Sequence, residues 1–235
     1  MVSTPGDGLS SVDLNHLWRD SIARVNSLEV SAAKYGDDLR SLIDVSAVQS
    51  DSAEIWPVIV AAGKGTRASA SGLSLPKPLA LIRNKPAIVH VMENIRKGLG
   101  QTRPPVIIVS TKTEAPIRQA LDGEDVTIVL QSEALGTGDA VLQAHPLMQD
   151  FRGLALVVWS TQPVIREKTY ERTAKLAGLF PAYEMFVPTT FRERPYAPIQ
   201  RSESGEVRSA NETHLESAEQ VNFGETPLEL EQCGT

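Results

Sequence analysis

The chain has 235 residues, 41% of them hydrophobic, which is enough to bury the core of one α/β domain with an appendage. A formal net charge of −6 at pH 7, with no long basic run, argues against nucleic acid as a partner. The single cysteine, Cys233, excludes an internal disulfide and suits a reducing cytoplasm, which is the expected location.

Residues 1–10 are rich in Gly, Ser and Pro and lack the charged region and apolar core of a signal peptide. No apolar run approaches about 18 residues, so no membrane span is expected. Ser11 or Asp13 can cap a helix carrying Leu14, Leu17, Ile22, Val25 and Leu28 at helical spacing. A second predicted helix covers 32–48, with Leu39, Leu42 and Ile43 inward. Amphipathic helices of this kind bury a face, by packing or by dimer contact, so a homo-oligomer through these helices is the expectation. The polar stretch 50–54 then separates a helical extension, 1–54, from a main domain, 55–235.

From Ile55 the pattern alternates. Strands are predicted at 58–62, 106–110, 126–130, 154–159 and 183–188, and helices at 87–98, 115–121, 137–144 and 167–177. Fully apolar strands separated by helices predict a Rossmann-like α/β fold, a mainly parallel sheet with helices on both faces. Beyond Pro188 the chain becomes polar and β-like, with a hairpin predicted at 201–207.

The most telling segment follows the first strand. Val58-Ile-Val60-Ala61-Ala62 breaks into Gly63-Lys-Gly65-Thr66-Arg67, and Pro76-Lys77-Pro78 follows. Glycines lacking Cβ let backbone N–H groups approach a polyphosphate, and Arg67 and Lys77 supply cations for the charge of a phosphoryl transfer. A P-loop is excluded, because Val58 lies five residues before Gly63 and Gly65 follows Lys64. Gly63-x-Gly65-x-x-Ala68 matches a dinucleotide fingerprint on its face. That fingerprint must open a helix, whereas 68–78 is small, polar and closed by proline. The later acid Glu93 falls within a predicted helix, not at a strand end.

The order Ala-Ala-Gly63-x-Gly65-Thr66-Arg67, then Pro76-Lys77, then Gln131 with Leu135-Gly136-Thr137-Gly138, resembles the sugar-phosphate nucleotidyltransferases. It is most like the uridyltransferase domain of N-acetylglucosamine-1-phosphate uridyltransferase. The likeness covers about 55–225 and implies a nucleotide-diphospho-sugar transferase fold. It also implies an enzyme that joins a nucleoside triphosphate, UTP by likeness, to a sugar 1-phosphate such as N-acetylglucosamine 1-phosphate, using Mg²⁺ and releasing pyrophosphate. By the same resemblance Val60, Ala61, Ala62 and Gly63 line the nucleotide pocket, Gly65, Thr66 and Arg67 hold the triphosphate, and Lys77 bridges substrate and α-phosphate. Gln131 reads the base, Gly136 and Thr137 add base contacts, and Glu212 and Asn222 bind the sugar.

Three departures from the family pattern accompany these matches. Thr161 stands where the family has the Asp that holds Mg²⁺, which removes a full negative charge from a hard-cation site. Ala197-Pro198 replaces a glycine whose amide meets the sugar, and Pro198 constrains that backbone further. The family also continues past the equivalent of Gly224 through strands and helices that carry a second metal-binding residue. Asp139, the nearby acid, reads as a first-turn helix residue before it reads as a substitute ligand. The competing reading is a nucleotide- or sugar-nucleotide-binding protein that has lost transfer chemistry.

Overall fold

A computed structural model describes residues 54–63, 65, 75–179, 184–192, 198–201, 207–210 and 230–233. Both predicted N-terminal helices, and with them the expected dimer surface, lie outside the described residues. The described elements fall into two units, one within Ser50–Glu171 and one from Arg172 onward.

The first unit is built on a sheet of four strands, β1 (Ile55–Val60), β4 (Val106–Ser110), β5 (Thr127–Gln131) and β6 (Leu154–Trp159), in the order β5-β4-β1-β6. All three pairings are parallel. Between β1 and β4 run a 3-10 turn (Lys77–Leu79), a small antiparallel pair of β2 (Leu81–Ile82) and β3 (Lys85–Pro86), and helix α1 (Ala87–Leu99). Arg83 and Asn84, both at positive φ, make the turn between β2 and β3. Helix α2 (Glu114–Ala120) joins β4 to β5, and α3 (Thr137–Leu142) with α4 (His145–Met148) joins β5 to β6. Helix α5 (Glu167–Leu179) follows β6. The expected α/β architecture with a parallel sheet is present.

Alternation along the strands sends Val58, Val106 and Ile108 to one face, where they pack with Ala140 and Ala144. Ile59 and Ile107 point to the other face and are also fully buried. Each such side chain contributes roughly 1.5–3 kcal/mol relative to exposure. In α1, Ile88, Val91, Met92, Ile95 and Leu99 recur at helical spacing and are buried together.

Several boundaries differ from the sequence expectation. Strand β1 begins at Ile55 and contains Pro57, which pairs with Leu156 of β6. Pairing with β4 starts only at Val58, so the missing N–H of Pro57 faces no partner strand on that side. The predicted helix at 137–144 ends at Leu142, because Pro146 cannot donate back to Leu142 and a new short helix starts beside it. Residues 184–188 are not a strand. Strand β7 (Thr189–Arg192) starts just after Pro188 and pairs antiparallel with β10 (Leu230–Cys233). The predicted hairpin strands appear as β8 (Ile199–Arg201) and β9 (Val207–Ala210), antiparallel to each other.

Candidate functional site

The strand order locates the place where a ligand fits. From β1 the chain moves outward to β4 and β5, then returns to the opposite side of β1 as β6. That reversal lies between β1 and β6, and in open parallel sheets ligands bind outside the carboxyl ends of the strands at such a point. The segment Ala61–Gly63 leaves β1 there, and Ser160-Thr161 leaves β6 beside it.

Hydroxyl groups fix these strand ends. Ser160 donates from both its backbone N–H (3.0 Å) and its Oγ (2.9 Å) to the Val60 carbonyl. Buried Thr113 donates from Oγ1 to the Ala61 carbonyl (3.2 Å) and accepts from the Ser110 N–H (2.9 Å). Ala61 in turn donates to the Ile108 carbonyl (2.7 Å), so the chain is held to the sheet until just before Gly63. Sequence reasoning missed Ser160 and Thr113; their one signal is a hydroxyl residue at or just beyond the end of an apolar strand.

Of the residues named from sequence, Val60 is half-buried, Ala61 and Ala62 are buried, and Gly63 is exposed. Gly65 has φ +64°, a conformation that favours glycine. Thr66, Arg67, Ala197, Glu212 and Asn222 lie outside the described residues. Lys77 starts the 3-10 turn, whose Pro78 and Leu79 are buried, while Leu79 donates to the Pro76 carbonyl and Ala80 to that of Lys77. The turn is thus anchored beneath an exposed lysine side chain.

Gln131 ends β5 and is only 3% exposed. Its Nε2 donates to Asp139 Oδ2 (2.6 Å) and to the Gly136 carbonyl (3.3 Å). Gly136 has φ +113°, where a side chain would be strained by about 1–3 kcal/mol. Thr137 is exposed, and Trp159 Nε1 at the end of β6 donates to its Oγ1 at 3.4 Å. This contact, at the long end of hydrogen bonding, brings the segment after β5 to the end of β6 across the two intervening strands. Glu93, the later acid weighed for the dinucleotide fingerprint, sits inside α1 and pairs with Lys85 Nζ at 2.5 Å, which lowers its pKa from the ordinary value.

Mg²⁺ prefers hard oxygen ligands, carboxylates above all. Thr161 is neutral and exposed. Asp139 already receives Gln131 and, at 3.4 Å on Oδ1, Gln143. Among the described residues there is no group of three His, Cys, Asp or Glu side chains able to hold a metal. The described donors therefore do not fit a carboxylate-anchored Mg²⁺ site. Among the same residues no helix is long and apolar enough to cross a membrane.

A glycine-containing segment and Gln131–Thr137 thus stand at the carboxyl edge of a parallel sheet, the edge where α/β proteins of this architecture bind ligands. Residues 56–212 match the family model of the nucleotidyl transferases, and the chain belongs to that family. It is similar to the bifunctional protein GlmU of Ruegeria sp., with 41% identity over 118 residues, covering 49% of this chain and 25% of that protein. The GlmU of Paraburkholderia phymatum is 33% identical over 168 residues, covering 72% of this chain and 35% of the relative. The chain thus spans about a quarter to a third of the length of these curated relatives. Among solved structures, a nucleotidyl transferase from Methanothermobacter thermautotroptrophicus superposes with TM-score 0.44 at 20% identity, covering 52% of this chain and 57% of the other. The family expected from the loop and its companion segments is the family found.

Proposed function

We propose that the protein transfers a nucleotidyl group from a nucleoside triphosphate, UTP by its likeness, to a sugar 1-phosphate such as N-acetylglucosamine 1-phosphate. The observation that carries this reading is the meeting of the Gln131–Thr137 segment with the end of β6, beside the loop that leaves β1. On this reading the base-reading side chain and the start of the phosphate-holding loop stand at the same edge of the sheet.

The sugar phosphate is itself an oxyanion nucleophile, so no general base is needed. One of its oxygens forms a bond to the α-phosphorus while the bond from that phosphorus to the bridging α–β oxygen breaks, and pyrophosphate leaves with the electron pair. Catalysis then consists of positioning and charge neutralisation. Lys77, and Arg67 by resemblance, supply positive charge to the phosphates. Glu212, Asn222 and the backbone at Ala197 are the proposed sugar contacts. The Mg²⁺ expected of the family has a hydroxyl at Thr161 in place of a carboxylate, and no step is assigned to it.

Lys77→Ala tests the reading. Removing one charge-assisted contact to phosphate costs about 1.5–3 kcal/mol, so calorimetry is expected to show UTP affinity falling by roughly tenfold or more with the thermal stability unchanged. Unaltered affinity would remove Lys77 from the site. A protein that binds UTP yet releases no pyrophosphate would be a binding module on this fold, a reading favoured by Thr161.

A further inference from the structure

The side-chain amide of Gln131 is held in one orientation by two groups that can only accept. Asp139 Oδ2 at 2.6 Å and the Gly136 carbonyl at 3.3 Å both face Nε2. A flipped amide would turn its own oxygen toward both of these oxygens, so the arrangement of partners fixes which end is which. Asp139 is itself steadied by Gln143, whose Nε2 lies 3.4 Å from both Oδ1 and the backbone carbonyl of Asp139. Gln131 Oε1 has no hydrogen-bond partner among the described residues. Sealed from water, it would be a buried orphan, and the one such atom among the described residues is the Tyr170 hydroxyl. What little of Gln131 remains open therefore includes Oε1.

Resting on the reading that Gln131 faces the base, we infer that Asp139 sets base selectivity by holding Gln131 with its oxygen outward. At Gln131 the base then meets an acceptor and no donor. A uracil or thymine ring carries a hydrogen on N3 and can donate to that oxygen. Cytosine presents a lone pair at N3, which the same oxygen repels. Asp139 is a positioning residue: it acts on the base through Gln131, and α3 carries it at the distance that reaches back to the end of β5. Its carboxylate accepts from Gln131 on Oδ2 and from Gln143 on Oδ1.

The test is calorimetric titration of UTP and CTP into the wild-type protein, Asp139→Ala and Asp139→Asn. Wild type is expected to prefer UTP. In Asp139→Ala the freed amide can rotate and offer Nε2 to cytosine N3, so the preference should shrink by about tenfold. Asp139→Asn keeps a carbonyl that accepts from Gln131 and should retain most of the preference. In wild-type protein, the Gln131 side-chain amide protons should exchange slowly by NMR, a readout that does not depend on the variants folding. An unchanged preference in Asp139→Ala, or amide protons exchanging like those of a free glutamine, would each overturn the inference and leave the proposed transfer standing. A wild type that favours CTP would overturn the inference and the choice of UTP, but not nucleotidyl transfer itself. A wild type that binds neither nucleotide would instead overturn the proposed function, and this inference with it.

Discussion

On the proposed reading, Thr161 stands where the family resemblance puts the carboxylate that holds Mg²⁺. A hydroxyl in place of a carboxylate weakens attraction for a hard cation, and the exposed position gives no low-dielectric compensation. Thr161→Asp should therefore raise Mg²⁺-dependent pyrophosphate release by at least about tenfold, as measured in a coupled assay. An Asp variant no faster than wild type would show that this position does not serve the metal. Gln131 illustrates the limit of reading single residues. In sequence it looks like a solvated polar residue at a strand end, and only its spacing to Gly136-Thr137 distinguishes it. The structure buries it on Asp139, eight residues onward, a pairing that exists only because β5 turns back into α3. No periodicity encodes that contact.

Elements were more legible than contacts, for a physical reason. The central strands β1 and β4 are covered on both faces, so they appear as continuous apolar runs that a sequence shows plainly. Strand β6 reads equally apolar, although Ala155 and Val157 are exposed, so the sequence hides its one-sided burial. Three of the boundary errors fall beside prolines, at Pro57, Pro146 and Pro188, where the missing N–H changes which backbone bonds can form. Helix α5 carries a further consequence. Tyr170 is buried with no partner for its hydroxyl among the described residues, and burial pushes its pKa up to about 12. The folded protein keeps a proton that the unfolded chain releases above about pH 10, so the stability tied to this group is whole below that pH and falls as pH rises toward 12. Tyr170→Phe should flatten that alkaline decline. At pH 7 it should leave stability equal or up to about 1 kcal/mol higher, since it removes an unpaired polar group. Guanidinium unfolding at both pH values measures this; a loss of stability at pH 7 would mean that the hydroxyl is bonded after all.

Across the whole molecule, the parallel sheet, the chain reversal between β1 and β6, and the glycine loop at that reversal form a single argument for nucleotide binding. The negative net charge gives no general attraction for a polyanionic triphosphate, so the proposed binding rests on local groups, with Lys77 and Arg67 as the proposed cations, and on backbone N–H groups. The proposed reaction is transfer with loss of pyrophosphate. Its most direct test is pyrophosphate release from UTP with a panel of sugar 1-phosphates, in Mg²⁺ and then with the metal chelated. Release is expected only with one particular sugar phosphate, and a comparison of the two conditions shows whether it needs the metal. Protein that binds UTP but releases no pyrophosphate with any acceptor would contradict the proposed reaction.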